Sequence, residues 1–341
     1  MKLLIAGSDE VWSLERYYIQ HLSNLGVLIE ICPVQSIFYK YYNRSLANKI
    51  LHKIGLSYIT RRIERQVKET IKRFKPDILW VFKGMELTPE LLQWVKGQGI
   101  KLVNYNPDNP FLFSGRGSGN KNLTRSINIY DLHFTYDSSI RDRIEDEYKI
   151  ACKMLPFGFE LSDELYNECG NLQEVNKICF LGNPDNDRAT FINELAKTYL
   201  IDVYGNHWEK FVQDKNITIY PAVYGKAFWE TLSKYRVQLN LMRRHNPDSH
   251  NMRTFEVPGT GGILLAPATK DHYVFFEDNE EAFFYKDLQD AVHKANFLLH
   301  LSQEQAKGIR FSARNRSVNS GYSYRKRAEF VFKTFNELVN V

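Results

Sequence analysis

An α/β fold built from two Rossmann-like domains in tandem is predicted by three observations. Apolar runs of strand length alternate with segments of helical period along nearly the whole chain. The alternation restarts after residues 156–176, a stretch holding Gly158, Gly170 and several acidic residues. At 341 residues the chain is also too long for one ordinary core and fits two of moderate size. Strands that alternate with helices imply parallel pairing through right-handed crossovers. The expected layout is an N-terminal domain over 1–160, a linker over 161–176 and a second domain over 177–323. The closing helix, 324–341, is expected to pack back on the first domain, and the two domains to face each other across a cleft.

The elements follow in order. Lys2 to Ala6 reads as a strand, Trp12 to Leu25 as an amphipathic helix stopped by Gly26, and Val27 to Cys32 as a second strand. Arg44 to Phe74 reads as mostly helical with a break near Gly55. Strands are then expected at 77–82, 101–105, 132–136 and 151–155, with a helix at 89–97. The second half repeats the pattern, with strands at 177–181, 200–204, 237–241 and 263–266. Helices are expected at 188–198, 226–234, 253–256, 288–301, 303–315 and 324–339.

Composition narrows the function classes. A hydrophobic fraction of 43% with 25% charged residues is that of a soluble globular protein, and no apolar run reaches the length of a membrane span. The opening MKLLIAGSDE reads as a strand rather than a signal peptide, and Cys32, Cys152, Cys169 and Cys179 lack ligand-like or disulfide-like spacing, so the expected location is cytoplasmic. Residues 38–75 carry eleven Lys or Arg against two Glu, a local +9 within a total of +5, so the rest of the chain is net negative. From Ile59 onward, Ile63, Val67, Ile71 and Phe74 recur on one helical face, with Arg61, Arg62, Arg65, Lys68, Lys72 and Arg73 on the other. That pattern is either a solvated helix face or, with Phe38 to Tyr42 nearby, a patch for an anionic membrane surface. No nucleic-acid recognition motif accompanies the charge, so no nucleic-acid partner is expected.

The densest run is Arg253-Thr-Phe-Glu256-Val-Pro-Gly259-Thr-Gly261-Gly262, leading into the apolar Ile263 to Ala266. It sets a guanidinium and a carboxylate at the mouth of a sheet, where open α/β folds bind ligands, and its glycines would let a ligand approach the backbone. A nicotinamide enzyme is unlike this chain. Its first strand leads into Gly7-Ser8-Asp9-Glu10, two acids where a dinucleotide phosphate would sit, and Gly115-Arg-Gly117-Ser-Gly119 follows no strand and reads as a loop.

Fragments along the chain, taken together, resemble one family. They are Pro76 to Gly84, Tyr105-Asn-Pro-Asp108-Asn-Pro110, Tyr130 to Asp137, Leu155 to Gly158, Phe180-Leu-Gly182-Asn183 with Arg188, Leu239 to Leu241, Arg253 to Gly262, and Tyr324 to Arg327. In this order they resemble the bacterial CgeB-like, spore-maturation-type glycosyltransferases of the two-domain GT-B fold. The resemblance implies transfer of a sugar from a UDP- or GDP-type donor, held by the second domain, to a glycan, lipid-linked or protein acceptor of the cell envelope. No metal or other cofactor is expected to be required.

The candidate residues follow from that chemistry. A departing diphosphate needs positive charge, and Arg188, beside Asn183, with Arg243, Arg244 and Arg253 are the candidates; arginine grips phosphate oxygens in pairs. Backbone amides after Gly259, with Gly261 and Gly262, are expected to add to this site. In glycosyltransferases with an E-x7-E pattern the second acid bonds the nucleotide ribose and the first lies near the donor sugar. Here the spacing is Asp248-x7-Glu256, which leans toward retention of configuration. Taken alone, Glu256 also reads as a surface carboxylate paired with Arg253 three residues earlier. His207 and Trp208 are candidates for contacting the base. On the acceptor side Asp9, Glu10 and Asp108 follow strand ends, where a carboxylate could take a hydroxyl proton, and Lys83 ends a buried strand. A non-catalytic sugar- or nucleotide-binding envelope-assembly protein and a nucleotide-sugar epimerase are the alternative readings.

Overall fold

The computed structural model describes residues 1–54, 56–113, 119–243 and 248–340, which form two compact units: 1–156 with 324–341, and 157–323. In the first unit, β1 (Lys2–Ala6) leads to α1 (Leu14–Asn24), β2 (Leu28–Cys32), α2 (Val34–Tyr42), α3 (Leu46–Lys53) and α4 (Ile59–Phe74). Then come β3 (Ile78–Phe82), α5 (Pro89–Lys96), β4 (Lys101–Asn106), α6 (Lys121–Ser126), β5 (Leu132–Thr135), α7 (Ser138–Arg143) and β6 (Cys152–Met154). The strands form one parallel sheet in the order β2-β1-β3-β4-β5-β6. Every residue of β3, and all of β1 after Lys2, is buried, as uninterrupted apolar runs must be when helices cover both faces of a parallel sheet. The edge strand β2 is less covered, with Leu28 61% exposed.

Local signals explain where the helices start. Thr88 caps α5 by accepting the Leu91 N–H at 3.3 Å, with Pro89 at the first helical position, where its missing N–H costs nothing. Along α4, Ile59, Ile63, Val67 and Ile71 are buried while Arg61, Arg62, Arg65, Lys72 and Arg73 are exposed, the division expected from the periodicity. The segment read as one interrupted helix over 44–74 is two, α3 and α4, and the aromatic run Phe38 to Tyr42 before it is the end of α2.

The second unit contains α8 (Asp163–Gly170), β7 (Val175–Leu181), α9 (Asn186–Ala196), β8 (Ile201–Tyr204), β9 (Ile217–Tyr220), α10 (Gly225–Lys234) and β10 (Tyr235–Leu239). It continues through α11 (Met252–Gly259), β11 (Leu264–Pro267), α12 (Lys270–Phe275), β12 (Phe283–Tyr285), α13 (Leu288–Leu299) and α14 (Gln303–Asn319). Its sheet is also parallel, in the order β12-β11-β10-β7-β8-β9. The two strands without a sequence expectation, β9 and β12, are the two edges. An edge strand has one partner to satisfy and can be short, so the apolar run that marks it is short as well; β12 is three residues long.

Residues 161–176, expected as a linker, instead hold α8 and the start of β7. Ser162 accepts the Leu165 N–H at 3.2 Å, and Asp163 and Glu164 occupy the first turn, where carboxylates favour the positive end of a helix. Those acids mark a helix start rather than a solvated connector. The chain then returns to the first unit as α15 (Tyr324–Val339), which packs along α1: Tyr324 stacks on Tyr17 with ring centroids 4.6 Å apart, and Phe335 meets the edge of Trp80 at 5.2 Å.

Candidate functional site

In the second unit the strand order reverses between β7 and β10, because the chain runs outward through β8 and β9 and then returns to add β10, β11 and β12 on the other side. Ligands of open α/β sheets bind beyond the strand C-termini at such a reversal. The residues there are Gly182 and Asn183 after β7 and Leu241 to Arg243 after β10. Arg188, in the first turn of α9, ties the two strand ends together: Nη2 donates to the Leu241 carbonyl at 2.9 Å and Nη1 to that of Asn183 at 3.3 Å. The Asn183 side chain accepts the Asn206 N–H at 2.9 Å and so fixes the turn after β8 as well. Burial, followed by the neighbouring charge of Arg243, pushes Arg188 down to about 10, with Asp185 opposing and Arg253 adding to the shift. Arg188, Arg243 and Arg253 are therefore one electrostatic group, and an anion among them would relieve their mutual repulsion.

Polar accounting points the same way. Arg188 Nε, Arg253 Nε and Asn240 Nδ2 are buried nitrogens without a hydrogen-bond partner among the described residues, a local excess of donors over acceptors. Arg244 lies outside the described residues. Among the described residues no group of three or more His, Cys, Asp or Glu side chains is placed to hold a metal ion.

Arg253 opens α11, whose N-terminus is set by Asn251: its Oδ1 accepts the Arg253 N–H at 2.9 Å, while Thr254 Oγ1 accepts the Asn251 N–H at 3.3 Å. The guanidinium donates to Glu256 and lies 4.6 Å from the centroid of the Phe228 ring. Glu256 does pair with Arg253, but it is buried rather than on a helix surface. Burial raises its pKa, and the charge and hydrogen bond of Arg253 counter that shift. The pair keeps Arg253, whose Nε is itself one of those three donors without a partner among the described residues, at the electropositive end of α11.

The glycines have another explanation. Gly259 is the last residue of α11, so the amides after it belong to a helix C-terminus, the wrong end of the dipole for an anion. Gly261 adopts φ +71°, and the Gly262 N–H to Val257 carbonyl bond at 2.8 Å with Gly261 N–H to Pro258 carbonyl at 2.9 Å forms a Schellman cap. A Cβ at Gly259 would stand 2.6 Å from the Phe159 ring, and one at Gly262 2.9 Å from the Val257 side chain. These residues close a helix against its core, and at Gly259 and Gly262 side chains already fill the space beside the backbone. Gly259→Ala is expected to destabilise the protein by about 1–3 kcal/mol through this overlap, read as a fall in the denaturant midpoint; an unchanged midpoint would show that Phe159 yields freely.

Other candidates divide. His207, at φ +73°, is exposed at the turn after β8. Trp208 beside it is fully buried and donates its indole N–H to the Gly182 carbonyl at 2.9 Å, so it is part of the core and cannot stack on a base. Asp248 is exposed, three residues before the cap of α11. Sequence reasoning missed the buried cluster next to it, in which Ser249 Oγ at 2.8 Å and His250 Nδ1 at 2.7 Å both meet Asp271 Oδ2. Because both converge on one carboxylate oxygen, the cluster anchors the segment before α11 to α12 and does not form a nucleophile–base relay.

The first unit reverses its strand order between β1 and β3. The turn after β1 is filled from within: Glu15 Oε1 accepts the Ser8 N–H at 2.7 Å, and a Cβ on Gly7 would lie 2.3 Å from that oxygen. A buried carboxylate thus holds the amide that a dinucleotide phosphate would need. Asp9 is exposed and accepts a hydrogen bond from Ser36. Lys83, at φ +64° beyond β3, pairs with Asp108 at 2.6 Å, bringing two sequence candidates together. Three residues on, Glu86 was missed. It is buried, its Oε2 has no partner among the described residues, and burial pushes it up to about 7, with Lys83 opposing. Its one signal in sequence was a carboxylate between apolar Met85 and Leu87 just past a buried strand.

Comparison with known proteins bears on both units. Residues 188–333 match the family model described as glycosyl transferase-like. No curated protein matches. Among solved structures, the chain is similar to a sucrose-phosphate synthase from Thermosynechococcus elongatus, with TM-score 0.73 and 8% identity, covering 99% of each chain. It is similar to a glycosyltransferase from Rickettsia africae with TM-score 0.68 and 13% identity, covering 99% of this chain and 98% of that one. It is also similar to Anabaena HepE in complex with UDP-glucose, with TM-score 0.67 and 11% identity, over 99% of this chain and 100% of that one. The fold is the α/β GT-B fold, with two parallel six-stranded sheets.

Proposed function

We propose that this chain is a glycosyltransferase that takes a sugar from a nucleoside diphosphate held by the second unit and delivers it to an acceptor on the first. The observation that carries the reading is the arginine group at the β7/β10 reversal, within the unit that the glycosyl transferase-like model matches. A glycosyl diphosphate departs as charge builds on its β-phosphate, and fixed donors aimed there stabilise that charge without reorganising. Arg188 anchors the two strand ends, Arg243 adds charge, and Arg253, stacked on Phe228 and held by Glu256, presents its guanidinium to the diphosphate. The residues supply that charge by themselves, so no metal is required by this reading.

Glu256 sets the orientation of Arg253 and, through its remaining acceptor capacity, is assigned to the ribose; Asp248 is assigned to the donor sugar, and retention of configuration goes with that pair. Asp108 is matched in charge by Lys83, which leaves Asp9 as the carboxylate for an acceptor hydroxyl. The narrower likeness to the CgeB-like group rests on the sequence fragments in order along the chain.

HepE was solved with UDP-glucose, so UDP is the first nucleotide to test. A thermal-shift panel of UDP, GDP and ADP is expected to give one clear winner, since a ligand bound only by the native state stabilises it by mass action. With the matching nucleotide sugar, free nucleoside diphosphate should accumulate. Absence of both stabilisation and release for every nucleotide would overturn the reading, and recovery of an isomerised nucleotide sugar would replace it with an epimerase.

A further inference from the structure

The first unit contains an apolar pocket of about 600 Å³ among α2, α3, α4 and the segment after β3. That volume lies in the range of small-molecule sites, about 300–1,000 Å³. One wall is α3, an amphipathic helix with no buried residue. Leu46 is 75% and Ile50 53% exposed, although both line the pocket. Spaced four residues apart, they form the apolar stripe that a helix normally packs against a core, here left bare. The opposite lining, from α2, is aromatic: Phe38 stacks on Tyr42 at 5.5 Å, and His52 of α3 meets Phe38 edge-on at 5.0 Å.

Charged side chains lie at two places, and the amides of Asn120 and Asn122, both donating to the Met85 carbonyl, also line the pocket. Lys49 and Lys53 line the pocket from α3 and have no ion pair among the described residues; Lys49 lies 5.5 Å from the centroid of the Tyr42 ring. Glu86 lines it from the other side, buried, with Oε2 lacking a partner. Glu86 follows the end of β3, one of the two strands at the order reversal of this sheet, so the apolar lining runs from solvent-exposed α3 toward the place where this unit would bind a ligand. An uncharged glycan would leave the bare apolar wall and the two unpaired ammonium groups without counterparts. A molecule with an apolar chain, an anionic linkage and a hydroxyl has a counterpart for each.

We propose that this pocket takes the chain of an amphiphilic, lipid-linked acceptor, with Lys49 and Lys53 on its anionic linkage and Glu86 hydrogen-bonded to a hydroxyl other than the attacking one, which stays assigned to Asp9. The inference rests on the glycosyltransferase reading and deepens it, by naming the acceptor class. Within the basic stretch 38–75 it places the lipid contact on α3 and its neighbours rather than on the exposed face of α4 that carries Arg61, Arg62 and Arg65.

The test uses the full chain and alkyl phosphates below their micelle concentration, measured by isothermal titration. Dodecyl phosphate should bind with one site per chain and at least about ten-fold more tightly than butyl phosphate, because the added methylenes are buried. Ile50→Glu, at an exposed position that folding does not need, should weaken dodecyl phosphate about ten-fold or more. Lys49→Gln with Lys53→Gln should weaken it several-fold, and inorganic phosphate should not compete. Equal affinity for the two chain lengths, or an unchanged Ile50→Glu, would overturn the proposal. So would binding to phosphatidylglycerol vesicles without binding to monomeric dodecyl phosphate, which would make this face a membrane surface instead. Affinity for the nucleotide that stabilises the protein in the thermal-shift panel, measured in the same samples, separates the two readings: intact nucleotide binding with no chain-length effect removes the pocket alone, whereas binding of none of UDP, GDP and ADP by the wild type removes the donor site.

Discussion

Arg253→Gln is expected to lower kcat/KM for the nucleotide sugar by about 100-fold or more, and UDP affinity by about ten-fold, with the fold intact. The magnitude is that of losing one fixed donor to developing negative charge in a water-poor site, about 3–4 kcal/mol. Three features put Arg253 ahead of its neighbours. Arg188 spends its donors on the carbonyls of Asn183 and Leu241, so its replacement would loosen the strand ends as well as remove charge. Arg243 is exposed, and its charge is shared with solvent. Arg253 is partly open, held by Glu256, packed on Phe228, and placed at the positive end of α11. Arg253→Lys keeps the charge and loses the planar fork, so it should recover part of the rate but little of the affinity. Glu256→Gln keeps the cation and loosens its orientation; a loss nearer ten-fold is expected. Steady-state kinetics with UDP titrations on the four proteins would decide the matter, and an Arg253→Gln rate within two-fold of wild type would remove this residue from the diphosphate.

How much of this was legible beforehand follows from what each residue packs against. The alternation of fully buried strands with amphipathic helices is written in one-dimensional periodicity, so all six strands of the first sheet and the four central strands of the second are readable; β9 and β12, short and at the edges, are not. Arg188 and Arg253 are candidate cations in the sequence because Arg188 stands beside the Gly182-Asn183 turn and Arg253 in the run leading into Ile263 to Ala266. What sets them side by side is the pairing of β7 with β10, strands separated by two intervening ones in sequence, which periodicity does not predict.

The Arg253 to Gly262 run shows the limit most clearly. A glycine-rich turn before a strand has the same sequence whether it cradles a phosphate or closes a helix, and the distinction lies in Phe159 and Val257, which occupy the space a Cβ would need. Trp208 raises the same difficulty: an indole beside a glycine turn can stack on a base or donate into the core, and only the Gly182 carbonyl at 2.9 Å separates the two. Glu86 left only the weak signal of a carboxylate between Met85 and Leu87, because the pocket it lines is shared with α2, α3 and α4, earlier elements that periodicity does not place beside it.

Glu86→Gln should stabilise the protein above neutral pH and leave it nearly unchanged in acid. Burial raises the folded-state pKa from 4.5 to about 7, with Lys83 and the residue's own backbone hydrogen bond opposing and Glu15 reinforcing the shift. A carboxyl whose pKa is higher in the folded than in the unfolded state binds its proton more tightly when folded. Its contribution to stability is therefore fully present below about pH 4.5, declines as pH rises, and is exhausted above about pH 7. A shift of this size corresponds to roughly 3 kcal/mol, which the neutral amide of glutamine would not lose. Unfolding free energies of wild type and variant should diverge as pH rises from 4.5 to about 7, the variant becoming the more stable, and run parallel from there to about pH 8; curves parallel over the whole range would mean that Glu86 is solvated and ionised as an ordinary carboxylate. The same experiment bears on the pocket. If an acceptor hydroxyl bonds Glu86, dodecyl phosphate esterified with a hydroxyethyl group should bind more tightly than its ethyl-ester counterpart to the wild type. That preference should change between pH 6 and pH 8 as Glu86 loses its proton, and glutamine at this position should leave it independent of pH.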